Sequence, residues 1–171
     1  AAATFGRSAV DEFAASAQVT LTPDEEMPYL LKFEVAENAV APLVEKHQRA
    51  LLAKGWYLFR MQRHFDLDRG DQMALLPTTD KYEVLATVGT NGANSEIYTA
   101  DVIKWLKLME QQNPFVLTDA GFDSLAGRFT RPIADPDVLA RRMYEFCPEA
   151  VEEVDEEAIA VLERVNAPKQ A

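Results

Sequence analysis

From Tyr29 to Val35, Leu31, Phe33 and Val35 are interleaved with Lys32 and Glu34, and this period of two predicts a half-buried strand. The period then lengthens. Val40, Leu43, Val44, His47 and Leu51 recur at three and four, so a helix follows, with Asn38 as its expected cap and Gly55 as a left-handed stop. Trp56 to Met61 and Met73 to Leu76 read as further strands, separated by a charge-dense loop from His64 to Asp71 and closed by Pro77. Asp80 starts a short helix through Lys81, Tyr82, Val84 and Leu85. Thr99 is the expected cap of a longer helix, whose Val102, Ile103, Leu106 and Met109 form one stripe and which Asn113-Pro114 stops. Phe115 to Leu117 and Ser124 to Thr130 predict two short strands. Asp135 and Pro136 open another helix, with Leu139, Met143 and Phe146 facing inward until Pro148, and a last helix is expected from Asp155 to about Val165.

Residues 1 to 27, rich in Ala, Ser and Thr, read as an N-terminal arm with one short helix around Val10 to Ala17, and residues 28 to 171 as one domain. Strands and helices mix without regular alternation or internal repeat. The expected fold is therefore α+β: a mixed or mostly antiparallel sheet with packed helices, a doubly wound α/β fold ranking second. The Leu31 strand, the Val40 helix and the Trp56 strand have the order and short connections of one right-handed crossover.

Composition narrows the function classes more than the fold. The 171 residues are 48% hydrophobic, and no apolar run reaches the ~20 residues that a membrane span needs. Asp and Glu number 28 against 17 Lys and Arg, a formal charge of −11, which argues against a nucleic-acid partner and for another protein with a basic surface. One cysteine makes no internal disulfide and two histidines make no three-histidine zinc site. The first residue is Ala1, which leaves the compartment open between a bacterial cytoplasm and, if a signal peptide preceded Ala1, the periplasm.

Candidate chemistry is sparse. Asp66-Leu67-Asp68-Arg69-Gly70-Asp71 resembles the start of a calcium loop, but its glycine is fifth rather than sixth and Pro77 stands where a bidentate glutamate belongs, so a solvated turn is expected and no metal. Cys147 falls at a helix C-terminus between Glu145 and Glu149, surroundings that disfavour a thiolate, so a buried, slow-reacting packing role is expected. His47 lies on an apolar stripe and reads as a core histidine, whereas His64 follows a strand and reads as exposed. No phosphate loop, dinucleotide fingerprint or nucleophile elbow is present, and no cofactor is implied. The most informative polar segment is Thr90 to Ser95. Asn91-Gly92 is a strong turn dipeptide, Gly92 is expected at positive φ, and Asn91 or Asn94 is expected to bond the backbone.

Thr90-Asn91-Gly92-Ala93-Asn94, the Trp105 helix, Asn113-Pro114-Phe115 and Tyr144-Glu145-Phe146-Cys147-Pro148-Glu149 occur in this order. On these motifs, from about Trp56 to Glu149, the chain resembles an uncharacterised bacterial family, domain of unknown function four-two-five-three. The resemblance implies a continuation through a Gln-Gly segment to a final strand ending in two tryptophans and an aspartate. This chain gives Ala150-Val151-Glu152-Glu153-Val154-Asp155-Glu156-Glu157 instead, and the family carries no activity over.

That segment concentrates acid. Asp155, Glu156 and Glu157 suit the first turn of a helix, and Glu149, Glu152 and Glu153 exceed what one turn uses. Glu149, Glu152, Glu153, Asp155 and Glu156 are therefore the expected partner-binding residues of a non-enzymatic bacterial protein-binding protein, an immunity-type inhibitor that neutralises a toxin being its most concrete form. The alternative is a small-molecule-binding protein or enzyme, its site around Thr90, Asn91, Gly92 and Asn94 with His64, Asp66 or Asp68 as acid or base. Convergence of those side chains on a concave site with perturbed ionisation would favour the second reading, and a closed turn on a flat surface the first.

Overall fold

The computed structural model describes residues 2–65, 68–92 and 95–148. The first helix, α1 (Ala2–Ala17), is longer than the sequence suggested and is no detached arm. Ala9, Val10 and Phe13 form its buried stripe, and it ends where Gln18 turns left-handed (φ 56°). An Ala-rich composition with scattered Ser and Thr hides such a stripe, because alanine supplies helix propensity without marking the buried face. A two-residue strand β1 (Thr22–Pro23), β2 (Leu31–Val35), α2 (Glu37–Ala53), β3 (Tyr57–Gln62) and β4 (Asp71–Leu76) follow. The chain continues through α3 (Lys81–Val88), α4 (Thr99–Glu110), β5 (Phe115–Ala120), β6 (Leu125–Phe129) and α5 (Pro136–Phe146). The final helix expected at Asp155 to Val165 lies outside the described residues.

Helix ends follow the sequence in part. Asp80 accepts from Tyr82 N–H and Asp135 from Val138 N–H, as capping carboxylates should, and Gly55 and Gly89 take positive φ (88° and 76°) just past α2 and α3. Asn38 is not a cap; it lies inside α2, which begins after Ala36. Thr99 is the first residue of α4 rather than its cap, and Asp101 instead accepts from Tyr98 N–H at 3.1 Å.

Among the described residues six strands form one mixed sheet in the order β1-β2-β4-β3-β5-β6, an α+β architecture. Every neighbouring pair is antiparallel except β3 and β5. The expected crossover from β2 through α2 to β3 is split: the two strands are codirectional, but β4 is inserted between them.

Helices cover both faces of the sheet. On one, Val10 and Phe13 of α1 and Val40, Val44 and Leu51 of α2 pack on Phe33, Leu58, Met73 and Leu75. On the other, Val84 and Leu85 of α3 and Val102 and Leu106 of α4 pack on Tyr57, Phe59, Ala74, Leu76 and Leu117. Burial on both sides is why Tyr57-Leu58-Phe59 and Met73-Ala74-Leu75-Leu76 are unbroken apolar runs, while β2, nearer the edge, alternates.

The parallel β3/β5 pair makes one ladder bridge, Arg60 with Asp119. Side chains occupy the rest of the seam. From the α2 face, Gln48 Nε2 donates to Leu58 O (3.0 Å) and to Leu117 O (2.6 Å). From the other face, the Tyr57 hydroxyl accepts from Leu117 N–H at 3.0 Å; burial, with smaller contributions from Glu110 and Asp80, pushes its pKa up to about 12 despite that bond. Beyond them, Lys81 Nζ donates to Phe115 O (2.7 Å), pairs with Glu110 and sits 4.3 Å over the Phe115 ring.

Gln48 is fully buried, so replacing it leaves two carbonyls short of a donor, at about 1–3 kcal/mol each. We expect Gln48→Leu to lose stability on that scale in urea unfolding. Gln48→Glu at neutral pH should lose more, because it turns an acceptor toward both carbonyls. Equal stability of parent and Gln48→Leu would show that the amide does not hold the seam.

Candidate functional site

The polar turn after α3 is fastened to the β5–β6 hairpin. Gly89 takes the left-handed position, so Thr90 turns away from the helix axis and its hydroxyl donates to Gly121 O at 2.6 Å. Asn91 N–H donates to Phe122 O (2.8 Å) and its side-chain amide to Gly89 O (2.9 Å), as expected of an asparagine in this turn. Gly92 and Ile97 exchange backbone bonds of 2.8 and 3.0 Å, which closes the loop. Gly121 is needed at the junction: a Cβ there would fall against the Ser124 hydroxyl and 3.1 Å from Met61 O.

Gly92 does not adopt positive φ, which corrects the expectation from the Asn-Gly pair. The left-handed residue is Gly89, because the reversal is made by the helix cap and Gly92 pairs in extended fashion with Ile97. What Gly92 lacks is volume on one side: a Cβ would lie 3.4 Å from Ile97 Cβ and 3.9 Å from Cys147 Sγ. The two sequence motifs, far apart in the chain, meet at this point.

They enclose a cleft of about 210 Å³ between the turn, α4, the hairpin and the end of α5. Trp105 of α4 stacks on Phe146 of α5 (centroids 5.0 Å apart, planes at 19°). With Ile97, Val102, Leu106, Leu125 and Met143 these rings make the walls apolar, while Thr90, Asn91, Asp123, Ser124 and Cys147 also line the space. Cys147 is half-buried at the cleft. Met143 does not face inward as its spacing suggested: it is 48% exposed at the rim, because only Leu139 of α5 is buried.

The other expected site residues are not gathered here. His64 is half-buried rather than exposed, its Nδ1 2.5 Å from Gly70 O, and neither it nor the exposed Asp68 lines the cleft. Asp66, Asn94 and the acidic set Glu149, Glu152, Glu153, Asp155 and Glu156 lie outside the described residues. His47 meets Phe13 edge-on at 5.1 Å, and burial, with Lys46 nearby, holds its pKa below the ordinary histidine value. Sequence reasoning missed Trp105, although it falls three residues after Val102 on the α4 stripe. It also missed Ser124 and Leu125, which no local pattern marks.

A second ionic cluster stands beside the site, where β3 and β5 end. Arg60, between Asp71 (2.9 Å) and Asp119, is 11% exposed, Asp71 is 3% exposed, and His64 N–H also donates to Asp71 at 2.9 Å. Burial alone would raise the Asp71 pKa, but the His64 amide and the Arg60 guanidinium outweigh it and hold the carboxyl below its usual range. An open groove of about 800 Å³ runs past this cluster, with Phe65 and Phe122 exposed along it.

Together these features define a class: an α+β domain with a helix-covered mixed sheet and an apolar cleft built where two polar-edged motifs converge. The family model described as domain of unknown function (DUF4253) matches residues 72–169, more than half of the chain, and the chain belongs to that family. The match starts later than the Trp56 at which the resemblance began and continues past Glu149 through the acidic segment. No curated protein and no solved structure matches the chain significantly. No helix among the described residues is long and apolar enough to cross a membrane.

Two outcomes test this geometry. Gly89→Ala should cost about 1–2 kcal/mol through its left-handed backbone, whereas Gly92→Ala should change stability little, since its Cβ meets ordinary contacts. Urea unfolding of both variants checks this, and the reverse order would contradict the assignment of the turn. Asp71 has its pKa lowered by folding, so its contribution is present above the unfolded value of about 3.9 and is lost as pH falls through the lower folded value. Asp71→Asn should therefore be destabilised at neutral pH by about 3 kcal/mol or more and show a shallower loss below pH of about 4 in urea melts across a pH series.

Proposed function

We propose that this protein acts by binding another protein rather than by catalysis, and that the cleft receives one apolar side chain of that partner. The carrying observation is the cleft itself. Its walls are aromatic and aliphatic, and the polar side chains of its motif, Thr90 and Asn91, bond neighbouring backbone carbonyls. At about 210 Å³ it is smaller than the ~300–1,000 Å³ usual for cofactor-sized ligands, and it suits a single anchoring residue of the kind that dominates protein interfaces. Leu125 (39% exposed) and Met143 stand at its rim, ready to lose contact with water on docking.

The charge balance supplies the second half of the reading. A net charge of −11 attracts a basic partner from a distance and raises the association rate, while the apolar anchor slows release. Glu149, Glu152, Glu153, Asp155 and Glu156 follow Cys147-Pro148 directly in sequence and are the acids proposed to face that partner. A toxin with a basic surface, neutralised by occlusion, is the most concrete partner of this chemistry. The small-molecule or enzymatic alternative retains the cleft, which Asp123, Ser124 and Cys147 also line; of the acid or base residues it named, His64 and Asp68 do not line the cleft and Asp66 lies outside the described residues.

Selection of displayed random peptides against the full chain tests the reading. The expected winners combine a Phe, Leu, Met or Trp anchor with flanking Lys or Arg, slow maleimide labelling of Cys147 when bound, and bind Met143→Glu at least tenfold more weakly, a change of about 1.4 kcal/mol. Winners without an apolar anchor, or winners that leave Cys147 labelling and Met143→Glu binding unchanged, would overturn it.

A further inference from the structure

The two edges of the sheet are unequal. β1 is two residues long and ends in Pro23, a strand too short and too poor in donors to template pairing. β6 offers five residues, Leu125-Ala126-Gly127-Arg128-Phe129, and among the described residues pairs only with β5. Its free hydrogen-bonding side can be assigned. Gly121 N–H donates to Ser124 O at one end of the hairpin and Thr130 N–H to Pro114 O at the other. Alternation from both ends turns the amides and carbonyls of Ser124, Ala126, Arg128 and Thr130 toward β5 and those of Leu125, Gly127 and Phe129 outward.

We propose that β6 is a homodimer edge, on which β6 of a second copy pairs antiparallel about a two-fold axis through Gly127. The sequence around that axis is self-complementary in every position. Gly127 faces its own counterpart, Leu125 faces Phe129, and Ala126, which is small, faces the long Arg128. One step beyond the strand ends Ser124 faces Thr130, and Asp123 faces Arg131 of the other copy, so opposite charges meet twice and like charges nowhere. The outward-facing residues Leu125, Gly127 and Phe129 pair only with one another in this register, which gives about six inter-chain backbone bonds. Any shift by one residue would set outward groups against inward ones.

Isologous pairing of this kind is the commonest closed symmetry, and it consumes the longer of the two sheet edges left open among the described residues. It also bears on the cleft. Leu125 lines it, so Phe129 of the second copy would stand beside the cleft entrance and extend its apolar wall. The proposal does not depend on the function proposed above, because its register comes from β6 alone.

Sedimentation of the full chain from low micromolar to several hundred micromolar concentration is the experiment, with charge reversal as its specificity control. The parent should pass from monomer to dimer. Arg131→Glu sets two like-charge pairs in place of two attractive ones and should weaken the dimer by about tenfold, and Asp123→Arg combined with Arg131→Glu should restore it to within a few-fold of the parent. Asp123 and Arg131 are both exposed, so the substitutions spare the fold, and far-ultraviolet circular dichroism verifies that. A chain that stays monomeric throughout overturns the proposal. So does a dimer indifferent to Arg131→Glu, or one that the double variant fails to rescue, since either would place the interface or the register elsewhere.

Discussion

The contact on which this architecture rests is the seam between β3 and β5. A parallel pair buried under helices on both faces must satisfy every backbone group without water, and this pair has a single ladder bridge with which to do it. Gln48 of α2, Lys81 of α3 and Tyr57 of β3 supply missing partners to the backbone of β5, and the Arg60–Asp119 ion pair ties the two strands through their side chains. The seam therefore joins layers as well as strands. Because β5 leads directly into the hairpin that holds Thr90 and Asn91, the position of the cleft is inherited from those few polar bonds.

Periodicity located the main elements because the burial asymmetry it reports is real. Leu31 and Phe33 are buried and Glu34 is exposed, and the stripe of Val40, Val44 and Leu51 points at the sheet. It was silent on topology. Nothing in the Leu31 or Trp56 strands says that a third strand separates them, since that depends on pairing between residues remote in sequence. Gln48 shows a subtler limit. It stands on the buried stripe, four residues after Val44, and a polar residue there is a signal of an internal partner, but only the fold says that the partners are the carbonyls of Leu58 and Leu117.

At the cleft the sequence offered the polar half. Thr90, Asn91 and Gly92 stand out because turn chemistry is local, and Gly89 was the better candidate for positive φ because a helix cap outranks an Asn-Gly pair as the cause of a reversal. The apolar half was hidden. Trp105, Phe146 and Leu125 look like ordinary core residues in one dimension, and what makes them a surface is the sparse burial of α5 over α4, with only Leu139 fully enclosed. A helix with one buried residue packs sparsely, and space remains beneath it: the cleft at its C-terminal end and a further gap of about 500 Å³ near its N-terminal end.

The insertion of β4 between β2 and β3 governs how the chain can be made. As the polypeptide emerges from a ribosome, β2 and β3 are synthesised first and have no common neighbour until Asp71 to Leu76 has followed them out. The amphipathic α1 and α2 then have no sheet to cover, and their apolar stripes stay open to water or to a chaperone for that interval. Once β4 enters the slot, it completes two ladders at once and gives both helices a floor. Since β4 is the neighbour that β2 and β3 share, a nascent chain that ends before Asp71 lacks the strand that joins them.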